Sequence, residues 1–210
     1  LSCYETGDET YYLRLFDYVE GPSLADLESV PLSLWSEIGR LLARIDLVLK
    51  DFYHAGSKRE LPWDVKNVLW SKDRLKYVSD PVKKRQLDYA LLQIETYLLP
   101  VSTGLRRQVI YGDGNEHNFI LQMKKETYRL IGLIDFGDMS DSFLAAEPAI
   151  ALTYALMKAP EREEAVKTLL AAYHKINPLQ PAELDVLYYL ILARLVISLT
   201  MAAWRHQAEP

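Results

Sequence analysis

The stretch from Tyr111 to Asp138 constrains the fold of this chain most, because two apolar runs in it are flanked by acidic and amide residues. Residues 119–122 and 128–134 form runs typical of β-strands, and the polar residues 124–127 between them are typical of a turn. The pattern predicts an antiparallel hairpin that folds back near Glu126 and brings its two outer ends together.

Three oxygen-bearing side chains are expected at the open end of this hairpin. Asn118 directly precedes the first run, Asp135 directly follows the second, and Asp113 reaches them through the loop 112–117. Mg²⁺ prefers carboxylate and carbonyl oxygens and takes further ligands from substrate phosphates. The pattern therefore predicts Asn118 and Asp135 as metal ligands. Asp113 is predicted as the catalytic carboxylate that positions an attacking hydroxyl and accepts its proton.

The same residues have two other interpretations, as ordinary turn residues and as a dinucleotide-binding motif. Asp, Asn and Gly are common in turns for local hydrogen-bonding reasons, so either end of the hairpin alone has an ordinary explanation. The glycines at 112 and 114 could begin a dinucleotide fingerprint, but its third position is His117, which excludes that motif. D-x-x-x-x-N followed, one hairpin later, by I-D-F-G is more specific and matches phosphoryl-transfer enzymes of the protein-kinase type.

These residues resemble the aminoglycoside phosphotransferase and choline kinase group, whose pattern is H-G-D-x-x-x-x-N followed by I-D-F-G-D. Tyr111 stands where that group usually has a histidine that braces the catalytic loop, and a tyrosine hydroxyl can still supply a hydrogen bond. A narrower resemblance, to hydroxylysine kinase and its bacterial relatives, rests on the segments GDGNEHNFIL, GLIDFGDMSDSFLAAEPAIALTYALM, HAGSKRELPWDV and ARLVISLTMAAWR.

The resemblance implies an α+β fold: the mainly helical C-terminal lobe of a protein-kinase-like fold with a catalytic β-hairpin, plus a remnant of the N-lobe sheet. Residues 1–20 are expected to end the nucleotide-binding lobe and form the hinge, and residues 21–210 to form the catalytic lobe. No glycine-rich phosphate loop and no strand lysine precede Leu1, although kinases of this type need both. We therefore expect a fragment of a larger polypeptide, inactive by itself.

The resemblance also implies two groups of binding residues, with Mg²⁺ as the cofactor and ATP or GTP as the phosphate donor. The expected nucleotide-binding residues are Phe16, Asp17, Tyr18, Leu121 and Ile134. The expected substrate-binding residues are Asp138, Glu147 and Arg194. The carboxylates of Asp138 and Glu147, with Asp141 nearby, are suited to binding a substrate ammonium group. Glu147 could instead stabilise the N-terminus of its helix, and Arg194 needs either a core carboxylate or a substrate carboxylate as its partner.

The remaining pattern is mainly helical. Apolar spacing predicts a helix through residues 34–49 with Ser33 as its N-cap, and Asp80-Pro81 predicts the start of another. A strand is expected at 108–111, a loop at 139–144, and helices at about 147–157, 161–175 and 182–204. An opening hairpin is expected from residues 1–4 and 11–16. The segment 54–65, with Arg59, Trp63 and Asp64, resembles a substrate-side loop, but packing and capping explain it as well.

Composition excludes several classes of protein. The formal net charge of −5 and a pI near 5.4 provide no basic face for nucleic acid. Cys3 is the only cysteine, so one chain can form neither a disulfide framework nor a thiolate zinc site, which is compatible with a cytoplasmic location. Residues 187–204 are strongly apolar, but Arg194 lies in their middle, and we expect a buried helix rather than a membrane span.

Two classes of function follow from these expectations. The first is a small-molecule kinase that phosphorylates a hydroxylated amino acid or amino alcohol, hydroxylysine first, with aminoglycoside, choline or ethanolamine, or homoserine kinases as alternatives. The second is a degenerate, non-catalytic kinase-like binding module. Retention of Asp113, Asn118 and Asp135 favours the kinase.

Overall fold

The computed structural model describes residues 2–7 and 9–208, without the side chain of Ala208. Its helices are α1 (Leu32–Leu49), α2 (Ser71–Arg74), α3 (Pro81–Tyr97), α4 (Ala146–Lys158), α5 (Arg162–Ile176) and α6 (Pro181–Ala208). Its strands are β1 (Ser2–Thr6), β2 (Glu9–Leu13), β3 (Arg107–Ile110), β4 (Phe119–Lys124), β5 (Thr127–Leu133) and β6 (Ser140–Phe143). Short 3₁₀ turns fill much of the chain between α1 and β3.

The strands form three antiparallel pairs, β1 with β2, β3 with β6, and β4 with β5. The first pair confirms the predicted opening hairpin, although Leu1 and Asp8 lie outside the described residues, and its described side chains are exposed. The domain boundary expected after residue 20 stays a prediction. Pro22 just beyond it accepts a hydrogen bond from the backbone N–H of Leu121, so this segment lies along β4.

The predicted loop at 139–144 is wrong, because Ser140–Phe143 forms β6 and pairs with β3. In the sequence S-D-S-F only Phe143 is of a type enriched in strands, and Asp is depleted there, so the local strand signal is weak. Tertiary contacts hold it instead. The hydroxyls of Ser140 and Ser142 donate to the carboxylate of Asp64 at 2.9 and 2.6 Å, and β3 supplies the backbone partner.

Helix α1 begins earlier than its apolar pattern predicts. Pro31 occupies the N-cap position and Leu32 starts the helix, so Ser33 lies inside the first turn and the predicted serine cap is wrong. The buried stripe of α1 contains Leu34, Ile38 and Leu42 and faces the core. Gly39 lies on the side facing α5, where a Cβ atom would come within 2.3 Å of the Leu169 carbonyl oxygen. These two helices can approach so closely only because residue 39 has no side chain.

The boundaries of α3 to α6 lie within four residues of the sequence pattern, whereas the short helix α2 was not predicted. Asp80 caps α3 by accepting hydrogen bonds from the N–H groups of Val82 and Lys83, as predicted. Helix α6 is long and apolar enough to cross a membrane by length and composition, yet over half of its most apolar window is buried within the fold. Its buried face packs against α3 and α4, which carries Arg194 to the centre of the molecule.

Candidate active site

The β4–β5 hairpin brings the predicted metal ligands to one end, as its sequence indicates. The turn is formed by Lys125 and Glu126, both with positive φ, and the ladder runs from there to the pair Phe119 and Leu133. One step further, the N–H of Ile134 donates to the carbonyl oxygen of Asn118 at 3.1 Å. Asp135 follows Ile134 directly. Asn118 and Asp135 therefore lie side by side at the open end of the hairpin.

The loop between β3 and β4 folds around Asp113. Gly112 begins it with a φ of 75°, a conformation that glycine adopts without strain. The side-chain amide of Asn118 donates to the Asp113 carboxylate at 2.8 Å and to its carbonyl oxygen at 3.0 Å. The amide of Asn115 donates to the same carboxylate oxygen at 2.8 Å. Asp113 and Asn118, the first and last residues of the D-x-x-x-x-N motif, are thus joined by hydrogen bonds. These bonds fix the orientation of the Asp113 carboxylate.

Arg194 of α6 is the partner of the predicted catalytic carboxylate. Its guanidinium donates to Asp113 Oδ1 and to the Tyr154 hydroxyl, both at 3.0 Å. It also donates at 3.4 Å to the Trp63 carbonyl oxygen. Arg194 and Asp113 are both nearly buried, so this is an internal ion pair. The sequence left a core carboxylate and a substrate carboxylate open as partners of Arg194, and in this structure a core carboxylate holds it.

Tyr111 links the loop that carries Asp113 to the segment that carries Asp135. Its hydroxyl donates to the carbonyl oxygen of Ile134 at 2.6 Å, and its ring meets the Phe136 ring edge to face with centroids 5.2 Å apart. Tyr111 is completely buried, and this burial raises the pKa of its hydroxyl far above the ordinary value, so the group stays a donor. The hydrogen bond that a tyrosine can supply at this position is present.

Asp135 lies in the left-handed region, with φ 58° and ψ 69°. A non-glycine residue in this region carries a cost of about 1 kcal/mol or more, and such residues cluster at functional sites. One carboxylate oxygen accepts from the N–H of Gly137 at 3.2 Å. Arg59 donates to the carbonyl oxygens of Gly137 and Met139 and so holds the segment on both sides of Asp138.

The segment 54–65 supports the site rather than forming an isolated substrate loop. Asp64 caps the following turn through the N–H of Lys66, pairs with the Lys66 ammonium at 3.1 Å, and accepts from the two β6 serines. The sequence left a substrate-side loop and a packing and capping role open for this segment. The capping role of Asp64 is confirmed, whereas the contacts of Arg59 and Asp64 with the residues that follow Phe136 were not predicted. Those contacts join segments about 75 residues apart, and no local pattern indicates them.

Glu147 lies behind the catalytic loop and not in the cavity. Its side chain is completely buried, and one carboxylate oxygen accepts from the N–H of Gly112 at 2.9 Å. The expected contact with a substrate ammonium is therefore wrong, because the carboxylate has no exposed surface. Burial raises the pKa of Glu147 from 4.5 to about 7, opposed by the hydrogen bond from Gly112. Burial and the nearby Glu147 also raise the pKa of Asp46, which accepts from the Tyr173 hydroxyl.

The other two acidic candidates have different surroundings. Asp141 is held by Arg107, which donates to its carboxylate at 2.7 and 3.0 Å. Asp138 lines the same cavity as Asp113 and Arg194, a space of about 490 Å³. Partial burial and the negative charges of Asp113 and Asp135 raise the pKa of Asp138, and this electrostatic environment favours a cation beside it.

The predicted nucleotide-binding residues do not share one environment. Phe16, Asp17 and Tyr18 are exposed in the irregular segment after β2, and Ile134 is partly exposed at the hairpin end. Leu121 is completely buried in the hydrophobic core, so its expected contact with a nucleotide is wrong in this structure.

The donor atoms at the open end of the hairpin fit a magnesium ion. The amide nitrogen of Asn118 donates to Asp113, and its amide oxygen accepts no hydrogen bond from the described part of the chain. One carboxylate oxygen of Asp135 accepts from Gly137, and the other has no donor among those residues. No group of three or more His, Cys, Asp or Glu side chains able to hold a metal occurs in residues 2–7 and 9–208. Two oxygen ligands supplemented by phosphates and water are nevertheless typical of Mg²⁺ sites in kinases.

A family model described as the phosphotransferase enzyme family matches residues 1–185. The chain belongs to this family. The matched range includes both elements of the site, the loop carrying Asp113 and Asn118 and the segment carrying Asp135. The resemblance drawn from these motifs is thereby confirmed.

Relatives of known function share about a quarter of the residues. Hydroxylysine kinase of Mus musculus is 26% identical, over 98% of this chain and 57% of that protein. Hydroxylysine kinase of Xenopus laevis is 28% identical, over 94% of this chain and 56% of that protein. The chain thus spans a little over half the length of these relatives.

Solved structures confirm the predicted fold class. The microcompartment-associated aminopropanol kinase matches with a TM-score of 0.66 at 18% identity, over 99% of this chain and 72% of that one. The GDP complex of aminoglycoside 2'-phosphotransferase-IIIa matches with a TM-score of 0.61 at 20% identity, over 91% of this chain and 64% of that one. At such identities the likeness concerns the fold, a mainly helical kinase-like lobe with a catalytic hairpin.

Proposed function

We propose that this protein is a small-molecule kinase that transfers the γ-phosphate of ATP or GTP to the hydroxyl of a hydroxylated amino acid or amino alcohol. The observation that carries the proposal is the joint placement of Asp113, Asn118 and Asp135. Asn118 binds the Asp113 carboxylate directly, and its backbone pairs with the residue next to Asp135. Family membership and the hydroxylysine kinase relatives support the same reaction class.

In this proposal the chain's own residues position the reactants. Asp113 accepts a hydrogen bond from the substrate hydroxyl and receives its proton as the bond to phosphorus forms. Arg194, Asn115 and Asn118 fix the direction of that carboxylate. Asn118 and Asp135 hold Mg²⁺, which neutralises phosphate charge when bound. Positioning and charge neutralisation supply most of the catalysis in phosphoryl transfer.

The remaining assignments concern binding. Asp138 is proposed to receive a substrate ammonium, because it lines the cavity beside Asp113 and because partial burial and the negative charges of Asp113 and Asp135 raise its pKa. Backbone groups of Phe16, Asp17 and Tyr18, with the side chain of Ile134, are proposed to contact the nucleotide. These positions are exposed or partly exposed.

The test uses the protein expressed from its complete reading frame. Transfer of labelled γ-phosphate from ATP and GTP to hydroxylysine, ethanolamine, choline, homoserine and an aminoglycoside is measured with and without Mg²⁺. We expect Mg²⁺-dependent transfer to a hydroxylated amine, and a loss of at least about 10³-fold in kcat for Asp113→Asn. Asp88→Asn, an exposed position on α3, is the matched control and keeps full activity.

Two results would contradict the proposal. Full activity in Asp113→Asn removes that carboxylate from its role. Nucleotide binding without transfer to any hydroxylated amine supports the degenerate binding module instead.

A further inference from the structure

Two buried carboxyl groups, on two different helices, lie behind the loop between β3 and β4. Asp46 of α1 and Glu147 of α4 are both completely inaccessible to solvent. The same two helices enclose Gly114 of that loop, since a Cβ atom there would lie 3.6 Å from Leu42 and 3.5 Å from Ala151. Asp46 lies about one helical turn after Leu42, and Glu147 about one turn before Ala151. Both carboxyl groups are therefore close to the same part of the loop.

Each of these carboxyl groups has one oxygen in a hydrogen bond and one without. Asp46 accepts from the hydroxyl of Tyr173, and Glu147 accepts from the N–H of Gly112 at 2.9 Å. Asp46 Oδ1 and Glu147 Oε1 are buried and have no hydrogen-bond partner among the described residues. A buried acceptor without a donor is costly, and a single proton placed between two such oxygens satisfies both.

The electrostatic surroundings favour a proton on this pair. Burial, and after it the charge of Glu147, raise the pKa of Asp46 well above its usual value, opposed by the hydrogen bond from Tyr173. Burial also raises the pKa of Glu147 to about 7. The charge of Asp113 raises the pKa of Glu147 further, and that of Arg194 lowers it. The pair therefore keeps at least one proton at neutral pH.

We infer that Asp46 is a positioning residue for phosphate transfer, whose carboxyl O–H donates to Glu147 Oε1 and so holds Glu147 against the N–H of Gly112. The inference rests on the proposed kinase function. Gly112 directly precedes Asp113, so the placement of its N–H helps to determine where the Asp113 carboxylate lies. Asp46 touches no reactant and acts through Glu147 and Gly112 alone.

The first test measures kcat and KM for Asp46→Leu and Asp46→Asn, in the protein expressed from its complete reading frame and with the best acceptor of the substrate panel. Both replacements are similar to aspartate in size, but only the amide can donate to Glu147. We expect Asp46→Leu to lower kcat at least about tenfold while both KM values change less than about twofold. Asp46→Asn restores most of this kcat. Asp51→Asn, exposed just after α1, is the matched control and keeps the original kcat.

The pH dependence of kcat separates a shared proton from a purely structural role. We expect kcat to fall at alkaline pH, where the pair loses its last proton and the two buried charges repel each other. Burial raises the pKa of the neighbouring Tyr111 and Tyr173 hydroxyls far above the usual value, so both keep their protons there. In Asp46→Asn the fall is absent, because an amide donor does not ionise.

Three kinetic results would overturn the inference. The first is an unchanged kcat in Asp46→Leu, and the second is a loss in Asp46→Asn as large as in Asp46→Leu. The third is an alkaline fall of the same size in Asp46→Asn as in the original protein.

Infrared spectroscopy gives a measurement that requires no activity. A protonated carboxyl group has a carbonyl band distinct from that of a carboxylate. We expect this band slightly above neutral pH in the original protein and in Asp51→Asn, and its loss in Asp46→Asn. Absence of the band from the original protein would overturn the inference. A protein that shows the band but transfers no phosphate to any acceptor would overturn the proposed kinase and leave the shared proton of Asp46 and Glu147 standing.

Discussion

The hydroxyl of Tyr111 donates a 2.6 Å hydrogen bond to the carbonyl oxygen of Ile134, and so connects the two segments that carry Asp113 and Asp135. The motif of the group that this segment resembles has a histidine at this position. The tyrosine keeps a donor in the same place, and its ring adds an edge contact with Phe136. With tyrosine at this position, the loop that carries Asp113 and the segment that carries Asp135 are therefore connected.

Tyr111→Phe tests this connection. The change removes only the hydroxyl and leaves a carbonyl oxygen without its donor, which costs about 1–3 kcal/mol. We expect a higher Mg²⁺ concentration for half-maximal phosphate transfer, whereas Tyr111→His restores the donor and most of the Mg²⁺ affinity. An unchanged Mg²⁺ requirement in Tyr111→Phe would show that the hydrogen bond does not position Asp135. Tyr89→Phe, exposed on α3, is the control.

Arg194→Met tests the internal ion pair with Asp113. Removing one partner leaves a buried carboxylate uncompensated, and such changes cost about 3–5 kcal/mol. We expect urea unfolding to show a loss of this order. The double variant Arg194→Met with Asp113→Asn should recover much of it, because no charge is then left unpaired. Strict additivity of the two single changes would contradict a direct interaction.

Glu147→Gln tests the pH dependence of stability. The folded protein keeps a proton on Glu147 that the unfolded chain loses, since the pKa is raised from 4.5 to about 7. The stabilisation from this proton is complete below pH 4.5, and the free energy of unfolding therefore falls as the pH rises towards 7. The fall is about 3 kcal/mol, since each unit of pKa shift corresponds to about 1.36 kcal/mol. The variant should show a flatter curve of unfolding free energy between pH 4.5 and 8. Parallel curves for the two proteins would contradict this, and Glu28→Gln at an exposed position is the control.

Gly39→Ala tests the close approach of α1 and α5. The added Cβ atom would lie 2.3 Å from the Leu169 carbonyl oxygen, so the helices must separate. Overpacking of this kind costs about 1–3 kcal/mol, measured by thermal or urea unfolding. Gly104→Ala is the matched control, since a Cβ atom there meets nothing within 4 Å. Equal effects of the two changes would show that α1 and α5 accommodate the methyl group without strain.

The sequence by itself determined the elements whose signals are local. Two apolar runs around a polar turn specified the β4–β5 hairpin, and a hairpin of that length places Asn118 beside Asp135 whatever surrounds it. Helical periodicity specified α3 to α6 within a few residues, and Asp80 specified a cap because its partners are its own neighbours. These features depend on residues close in the chain, where periodicity and capping act.

Only the tertiary structure decided which distant groups meet. The partner of Arg194 is 81 residues away, and Asp64 reaches β6 across more than 70 residues. The sequence of β6 has only a weak strand signal, from Phe143. The packing of α4 places the Glu147 carboxylate behind the loop that carries Asp113, where it accepts from Gly112. The spacing of residues in the sequence does not predict this position. Interactions between neighbouring residues determine which helix or strand a segment forms. Which side chains are buried, and which buried polar groups pair, is determined only when the helices and strands pack together.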